Sequence, residues 1–350
     1  KKIDVSSLVG KDYIKTNNVN KYHIIQKGDK WSLSEVGYIY TKDNKIVYDL
    51  YKDPMLLVTG GTQSDLQAVS AISYNDGVFK SSLTGIKGVG DGSVVVLRNI
   101  QAVLNSQFFA YYNLLSFSSS GIEREETHDD EKLSVPYIDN LDNQVELIER
   151  LFNEYYAQTM SNNTLKATID THIASIEDSI LDMLQCSEID KNLIDYALKI
   201  SIPIATKPRG WYEKVFAIIQ KNSPLLEDYA QVFIDRFANS FNRNGKRFVV
   251  EICYSKPVIG MYFKIIDDTE FTQEIKYSKP EKSILSMVAE LSSNKITEQL
   301  FVQKDLRGFE RDFFYIFKPN ERRLWHKAIA HLDVNEFADA MLRAGGNGNE

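Results

Sequence analysis

Glu274-Ile275-Lys276, with Asp267 and Asp268 just upstream, has a form in which two carboxylates hold a divalent cation and a lysine activates water. That chemistry puts the Asp and the Glu on adjacent strands, and the stretch from Asp268 to Glu274 is short for it. The plainer reading is a solvated strand face, where Glu-x-Lys recurs constantly. Gly85-Ile86-Lys87-Gly88-Val89-Gly90-Asp91-Gly92 is the densest glycine cluster. A phosphate-cradling loop follows a strand and opens a helix, so that its amides face the anion. Here the next segment, Ser93 to Leu97, reads as a strand, which makes the cluster a flexible loop. Gly60-Gly61-Thr62 reads as a tight turn. The five histidines are scattered. His326 and His331 share a helix face poorly, no carboxylate or cysteine completes a ligand set, and His172 reads as a boundary residue beside an isoleucine seam. Positive charge gathers at Lys80, Lys87 and Arg98, and again at Lys318, Arg322, Arg323 and Lys327 around Trp325 and His326. Basic residues interleaved with aromatics bind nucleic acid by phosphate contact and stacking. The plainer reading of the second cluster is a solvated helix start with Trp325 in the core.

The elements that must carry these residues follow from periodicity. Tyr22-Ile25, Gly37-Tyr40, Ile46-Leu50 and Met55-Val58 are rich in β-branched and aromatic residues and are punctuated by Asp53-Pro54, Gly60-Gly61 and Asn75-Asp76-Gly77, as strands are. Val94-Leu97 reads as a buried strand, and Gln101 to Leu115 as a helix. Val145, Ile148, Phe152 and Tyr155 recur at helical spacing. Ile169, Ile173, Ile176, Ile180 and Met183 form a coiled-coil seam of about two heptads, too short to stand alone. Ser161 to Thr164 separates the two helices. Residues 203 to 210 (PIATKPRG) read as a linker. Beyond it come helices over Trp211 to Gln220 and Leu225 to Phe241, a hairpin of Arg247 to Tyr254 and Val258 to Ile266, a helix over Ser283 to Leu291, a strand over Phe313 to Phe317, a closing helix over Leu332 to Leu342, and a tail from Gly345. The expected class is α+β.

Ala102 to Ile138 combines an apolar helix (Val103, Leu104, Phe108, Phe109, Tyr112, Leu115), a serine run ending at Gly121, a charged segment from Glu123 to Lys132, and a short extended piece through Pro136. This stretch resembles the end of a target-recognition domain in bacterial N6-adenine DNA methyltransferases and restriction specificity subunits, which carry an "LNS…YY" helix, a polar turn, a charged linker and a short strand ending in proline. The likeness extends loosely over residues 45 to 205. It implies a mostly-β recognition-like domain (1–140), a helical spacer with the coiled-coil seam (141–205), and an α+β domain of open role (206–350). It implies sequence-specific recognition of double-stranded DNA, within an adenine methyltransferase, a restriction-modification enzyme or a phage-defence protein. The partner is then a methyltransferase catalytic domain or subunit. S-adenosylmethionine is the cofactor of that parent, with none in this chain. The residues expected to meet DNA are Lys80, Ser81, Ser82, Lys87, Arg98, Ser119 and Arg124, with Arg322, Arg323 and Lys327 as a second group, and the glycine cluster becomes a DNA-facing loop.

Neither Asn-Pro-Pro-Tyr nor Asp-Pro-Pro-Tyr occurs, the motif that holds a flipped adenine in amino-methyltransferases, and no phosphate-loop or His-Glu-x-x-His motif is present. The chain by itself is therefore expected to be non-catalytic. It begins at Lys1, which reads as a piece of something longer. Its 350 residues suit two domains and a connector, and 43% hydrophobic with 25% charged residues suffices for real cores. No apolar run approaches membrane-spanning length, and two distant cysteines suit a reducing cytoplasm without structural zinc. A net charge of −7 argues against strong autonomous DNA binding. The alternatives are a protein-interaction scaffold that never touches DNA, and a nuclease using Asp268, Glu274 and Lys276.

Overall fold

The computed structural model describes residues 6–32, 48–80, 82–117, 129–157, 163–278, 305–310 and 312–346. They form a mixed α+β protein whose chain divides into two compact units, residues 1–208 and 209–350.

In the first unit, β1 (Asp12–Ile14) is followed by β2 (Val19–Asn20) and β3 (His23–Ile24), which pair with each other. Next come β4 (Met55–Thr59), β5 (Ser70–Ser73), β6 (Gly77–Phe79) and β7 (Leu83–Lys87). β6 pairs with β1, and β5-β4-β7 make an antiparallel sheet. Central β4 is buried along its whole length. Because side chains alternate along a strand, β4 serves two cores. Met55 and Leu57 pack with Trp31, Tyr51 and Phe79, while Leu56 and Val58 meet Leu97, Leu104 and Phe109. Each such buried side chain stabilises by ~1.5–3 kcal/mol.

The helices on the second face are α1 (Ser93–Leu104) and α2 (Gln107–Ser116). Two expectations change here. Val94 to Leu97 is the first turn of a helix rather than a strand: Leu97, Gln101 and Leu104 are buried at helical spacing while Val95 and Val96 face outward. A run of three valines and a leucine carries a weak strand preference that packing overrides. The single helix expected over 101–115 is two, broken at Asn105-Ser106, and Leu115 is 65% exposed.

A single turn, α3 (Asp129–Lys132), precedes α4 (Asp142–Ala157), α5 (Asn163–Met183), α6 (Glu188–Tyr196) and α7 (Ile202–Thr206). Leu133 to Ile138 pairs with no described strand, although Ile138 is buried. The isoleucine seam finds its partner within the unit: Ile176 and Ile180 of α5 share a core with Val145 and Ile148 of α4, Ala102 and Val103 of α1, and Tyr22. Ile173 is only partly buried and Met183 is exposed, so the seam narrows at those positions. These helices are bound into the first unit, not held apart as a spacer. The expected linker is also shorter, since Pro203 sits in the first turn of α7, where its missing N–H costs nothing. The expected strand over Gly37–Tyr40 and the first two residues of the one over Ile46–Leu50 lie outside the described residues; the other three, Tyr48 to Leu50, are not strand but part of a 3-10 turn, Tyr48–Tyr51.

The second unit holds α8 (Trp211–Val215), α9 (Pro224–Phe241), β8 (Lys246–Tyr254), β9 (Val258–Asp267), β10 (Ile275–Ser278), β11 (Leu306–Phe309), β12 (Phe313–Pro319) and α10 (Lys327–Gly346). The sheet order is β10-β8-β9-β12-β11, with β10 parallel to β8 and the other pairs antiparallel. α9 and α10 share a core with one face of the sheet, built on Phe233, Phe237, Phe248, Phe263, Phe314, Phe337 and Trp325. The expected hairpin turns at Ser255-Lys256-Pro257, the helix expected to Gln220 stops at Val215, and the closing helix starts five residues earlier, at Lys327 rather than Leu332. Ser283–Leu291 lies outside the described residues.

Candidate nucleic-acid interface

The Asn-Ser pair between α1 and α2 is a piece of framework. Asn105 Oδ1 accepts from Ser70 N at 2.8 Å and Ser70 Oγ at 3.0 Å, and Asn105 Nδ2 donates to Ser70 O at 2.9 Å. The amide thus substitutes for a neighbouring strand and fastens β5 to the helical layer. Ser106 caps α2 by accepting from Phe109 N at 3.1 Å. Glu177 of α5 accepts from Gln107 N through both oxygens at 2.9 Å, at the same helix start. Burial pushes the Glu177 carboxyl up to about 7, against the downward pull of those amides and of Lys21. Lys21 donates to Gln67 and, at 2.8 Å, to Asn105 O; burial lowers its ammonium.

Against this frame the expected site residues separate. Lys80 is exposed and pairs with no carboxylate among the described residues. Its Nζ lies 5.5 Å from the Tyr13 ring centre, and Lys15 Nζ lies 5.4 Å from the same ring. Ser82 Oγ accepts from Thr16 Oγ1 at 2.8 Å, and Lys15 also pairs with Asp29 at 2.9 Å. Lys15, Thr16, Lys80 and Ser82 therefore gather at one end of β7. Tyr13, Lys15 and Thr16 were missed in the sequence, where nothing local joins them to residues 80–82.

Lys87 occupies the other end of β7, about 13 Å away at strand rise. Its ammonium donates to the carbonyls of Lys52, Asp53 and Pro54, each at 2.9 Å, so it closes a turn instead of facing solvent. Arg98 is likewise occupied: it binds Glu146 at 2.7 Å and Glu149 at 3.1 Å, and reaches Tyr74 Oη at 3.2 Å. Tyr74 donates to Glu149 at 2.7 Å, and burial raises that carboxyl. Arg98 joins α1 to α4 and is withdrawn from any phosphate contact. Ser81, Ser119 and Arg124 lie outside the described residues.

The glycine cluster does follow a strand and open a helix, contrary to the strand expected after it. Gly92 sits at the N-cap of α1 with φ 80°, which glycine adopts freely, and Val89 is 94% exposed at the loop tip. No side chain caps α1, and nothing else at that loop points to a ligand.

In the second unit the cluster around Trp325 dissolves. Trp325 is a core residue whose Nε1 donates to Pro319 O at 3.0 Å. His326 Nδ1 accepts from Ala328 N at 3.2 Å, capping α10. Lys318 is buried against Asp333, Tyr229 and Leu324 O. Arg322 and Arg323 instead meet the segment around α8, and Lys327 stands on the first turn of α10 near His331. Asp267 and Asp268 pair with Lys246 and Arg247, and Lys276 stands opposite Glu251. Among the described residues no three His, Cys, Asp or Glu side chains gather as metal ligands. No described helix is long and apolar enough to cross a membrane. No protein-family model matches the chain, and no curated protein matches its sequence.

Proposed function

We propose that the first unit selects a DNA sequence for an adenine DNA methyltransferase, or for a related restriction-modification or phage-defence protein. On this reading residues 1–140 carry the recognition surface, the helices of 141–205 brace it, and residues 206–350 have a separate role. A catalytic domain or subunit outside this chain supplies the chemistry and the S-adenosylmethionine. The observation that carries the reading is the cluster of Lys15, Lys80, Thr16 and Ser82 on short loops at one end of a buried sheet. Ammonium groups neutralise phosphates, hydroxyls reach base edges, and loops on a rigid frame hold both in register. On this reading the Asn105–Ser70 lock and the Ser106 cap are the part that the "LNS" residues play in building such a frame.

Duplex binding across a salt series tests it, in the full-length parent where the chain alone binds weakly. Lys80→Ala should lower the salt slope by about one unit and weaken all sequences alike. Lys87→Ala should leave the slope unchanged and lower the melting temperature, since it orphans three carbonyls. Unchanged affinity and slope with Lys80→Ala would remove this edge from the interface. A scaffold that binds protein alone is the second reading, favoured by the net charge of −7. A folded chain and parent that ignore random duplex at low salt would decide for it.

A further inference from the structure

The second unit builds a cation–aromatic platform from segments a hundred residues apart. Asn320, which is buried, accepts from Ile219 N at 2.9 Å and donates to Ile219 O at 3.1 Å. Tyr254 Oη donates to the same carbonyl at 2.9 Å, and Arg322 N donates to Ala217 O at 2.9 Å. These bonds fix the chain after α8 along the chain before α10. Arg323 is thereby held with its guanidinium 4.7 Å from the Phe216 ring centre. Phe216 in turn stacks on Tyr212, with centroids 4.5 Å apart and planes 23° apart, and Trp211 meets both edge-on at 5.7 and 6.0 Å. Tyr212, the outer ring of this ladder, is 58% exposed.

Such a stack has a bland use, which is to cover the underlying core, but two features exceed it. A tyrosine that served only as cover would bury its ring, and this one ends the stack in solvent. Exposed Arg209, Lys214 and Lys221 also flank these segments in sequence, pair with no carboxylate among the described residues, and are free to meet phosphate. The opposing carboxylates are Glu213, and Glu321, which accepts from Arg323 Nε at 2.7 Å.

We propose that Tyr212, stacked on Phe216 and backed by Arg323, forms a binding site for single-stranded nucleic acid, with an unpaired base stacking on Tyr212 and the adjoining phosphodiesters met by exposed Arg209 and Lys214. A duplex buries its base faces and cannot extend the ladder, so the site selects single strands without reading sequence. It is independent of the reading given above for the first unit, which concerns duplex DNA.

The test uses the whole chain and its tryptophan fluorescence. Of the three tryptophans Trp31 and Trp325 are buried, so quenching by a stacked base reports on Trp211. Oligo-dT, oligo-rU, a blunt duplex and inorganic polyphosphate are titrated in parallel. Either single strand, or both, should quench saturably and bind more tightly than the duplex, and the stronger arm names the sugar. Tyr212→Ala should weaken binding about tenfold with unchanged thermal melting, and Tyr212→Phe should retain it. Lys214→Gln should reduce the salt slope, with circular dichroism confirming its fold. Absence of single-strand binding, equal binding of duplex or polyphosphate, or wild-type affinity in Tyr212→Ala would each overturn the proposal.

Discussion

Replacing Asn105 with Ala should unlock the first unit. Asn105 is buried and makes three bonds to one residue, Ser70 N, Oγ and O. Ser70 O keeps donors in Tyr22 N at 3.0 Å and Gln101 Nε2 at 3.4 Å. Ser70 N and Oγ lose their acceptor, and Ser70 is fully buried, so water does not replace it. An unsatisfied buried donor costs ~1–3 kcal/mol, so the pair predicts a loss of about 2–5 kcal/mol. That range includes some relaxation of Ser70 Oγ toward another acceptor. Urea unfolding gives the global figure, but a chain of two compact units need not unfold in one step. Hydrogen exchange by peptide is the sharper assay. Protection should fall in peptides covering 66–73 and 101–110 while those covering β8 and β9 stay unchanged. Leu115→Ala, at an exposed position, should have almost no effect. A loss below about 1 kcal/mol for Asn105→Ala, or deprotection confined to the second unit, would refute the view of Asn105 as the fastening between β5 and the helices.

Ile176→Ala should cost ~2–5 kcal/mol because Ile176 is buried where α1, α4 and α5 meet, and Ile173→Ala should cost less, since Ile173 is only partly covered; equal losses in urea melts would contradict that packing. The Glu177 carboxyl, raised in the fold to about 7, contributes stability that is complete below the unfolded glutamate range and is lost as pH rises through about 7. The melting temperature of the first unit should therefore rise as pH is lowered from 8 toward 5, and Glu177→Gln should flatten that part of the profile; an unaltered profile in the variant would assign the effect elsewhere.

Much of the fold was legible because its signals are local. The β4 run, the isoleucine seam, α9, and the hairpin turning at Ser255-Lys256-Pro257 follow from side-chain period and turn chemistry, which neighbouring residues decide. The resemblance rested on the Asn-Ser pair and the aromatics after it, and those residues hold the helical layer together, although a helix break stands where one continuous helix was expected. The valine run after Gly92 misled because four apolar residues fit a strand or a helix turn equally well, and only the burial of Leu97, Gln101 and Leu104 together chose the helix.

The site was less legible, for a different physical reason. A lysine or arginine shows its charge in sequence but not its partner. Lys87 is held by carbonyls more than thirty residues away, Arg98 is paired with two glutamates of α4 and Lys318 with Asp333, whereas Lys80 meets no carboxylate among the described residues. The same holds for aromatics: Trp325, conspicuous among arginines in the sequence, is core, while Arg323 stacks on Phe216, a residue with no sequence signal pointing to it. Composition and periodicity determined that this chain makes helices, strands and buried cores. Which charges remain available, and which rings they meet, was decided by long-range pairing, because burial and ion pairing depend on residues that adjoin only after the chain has folded.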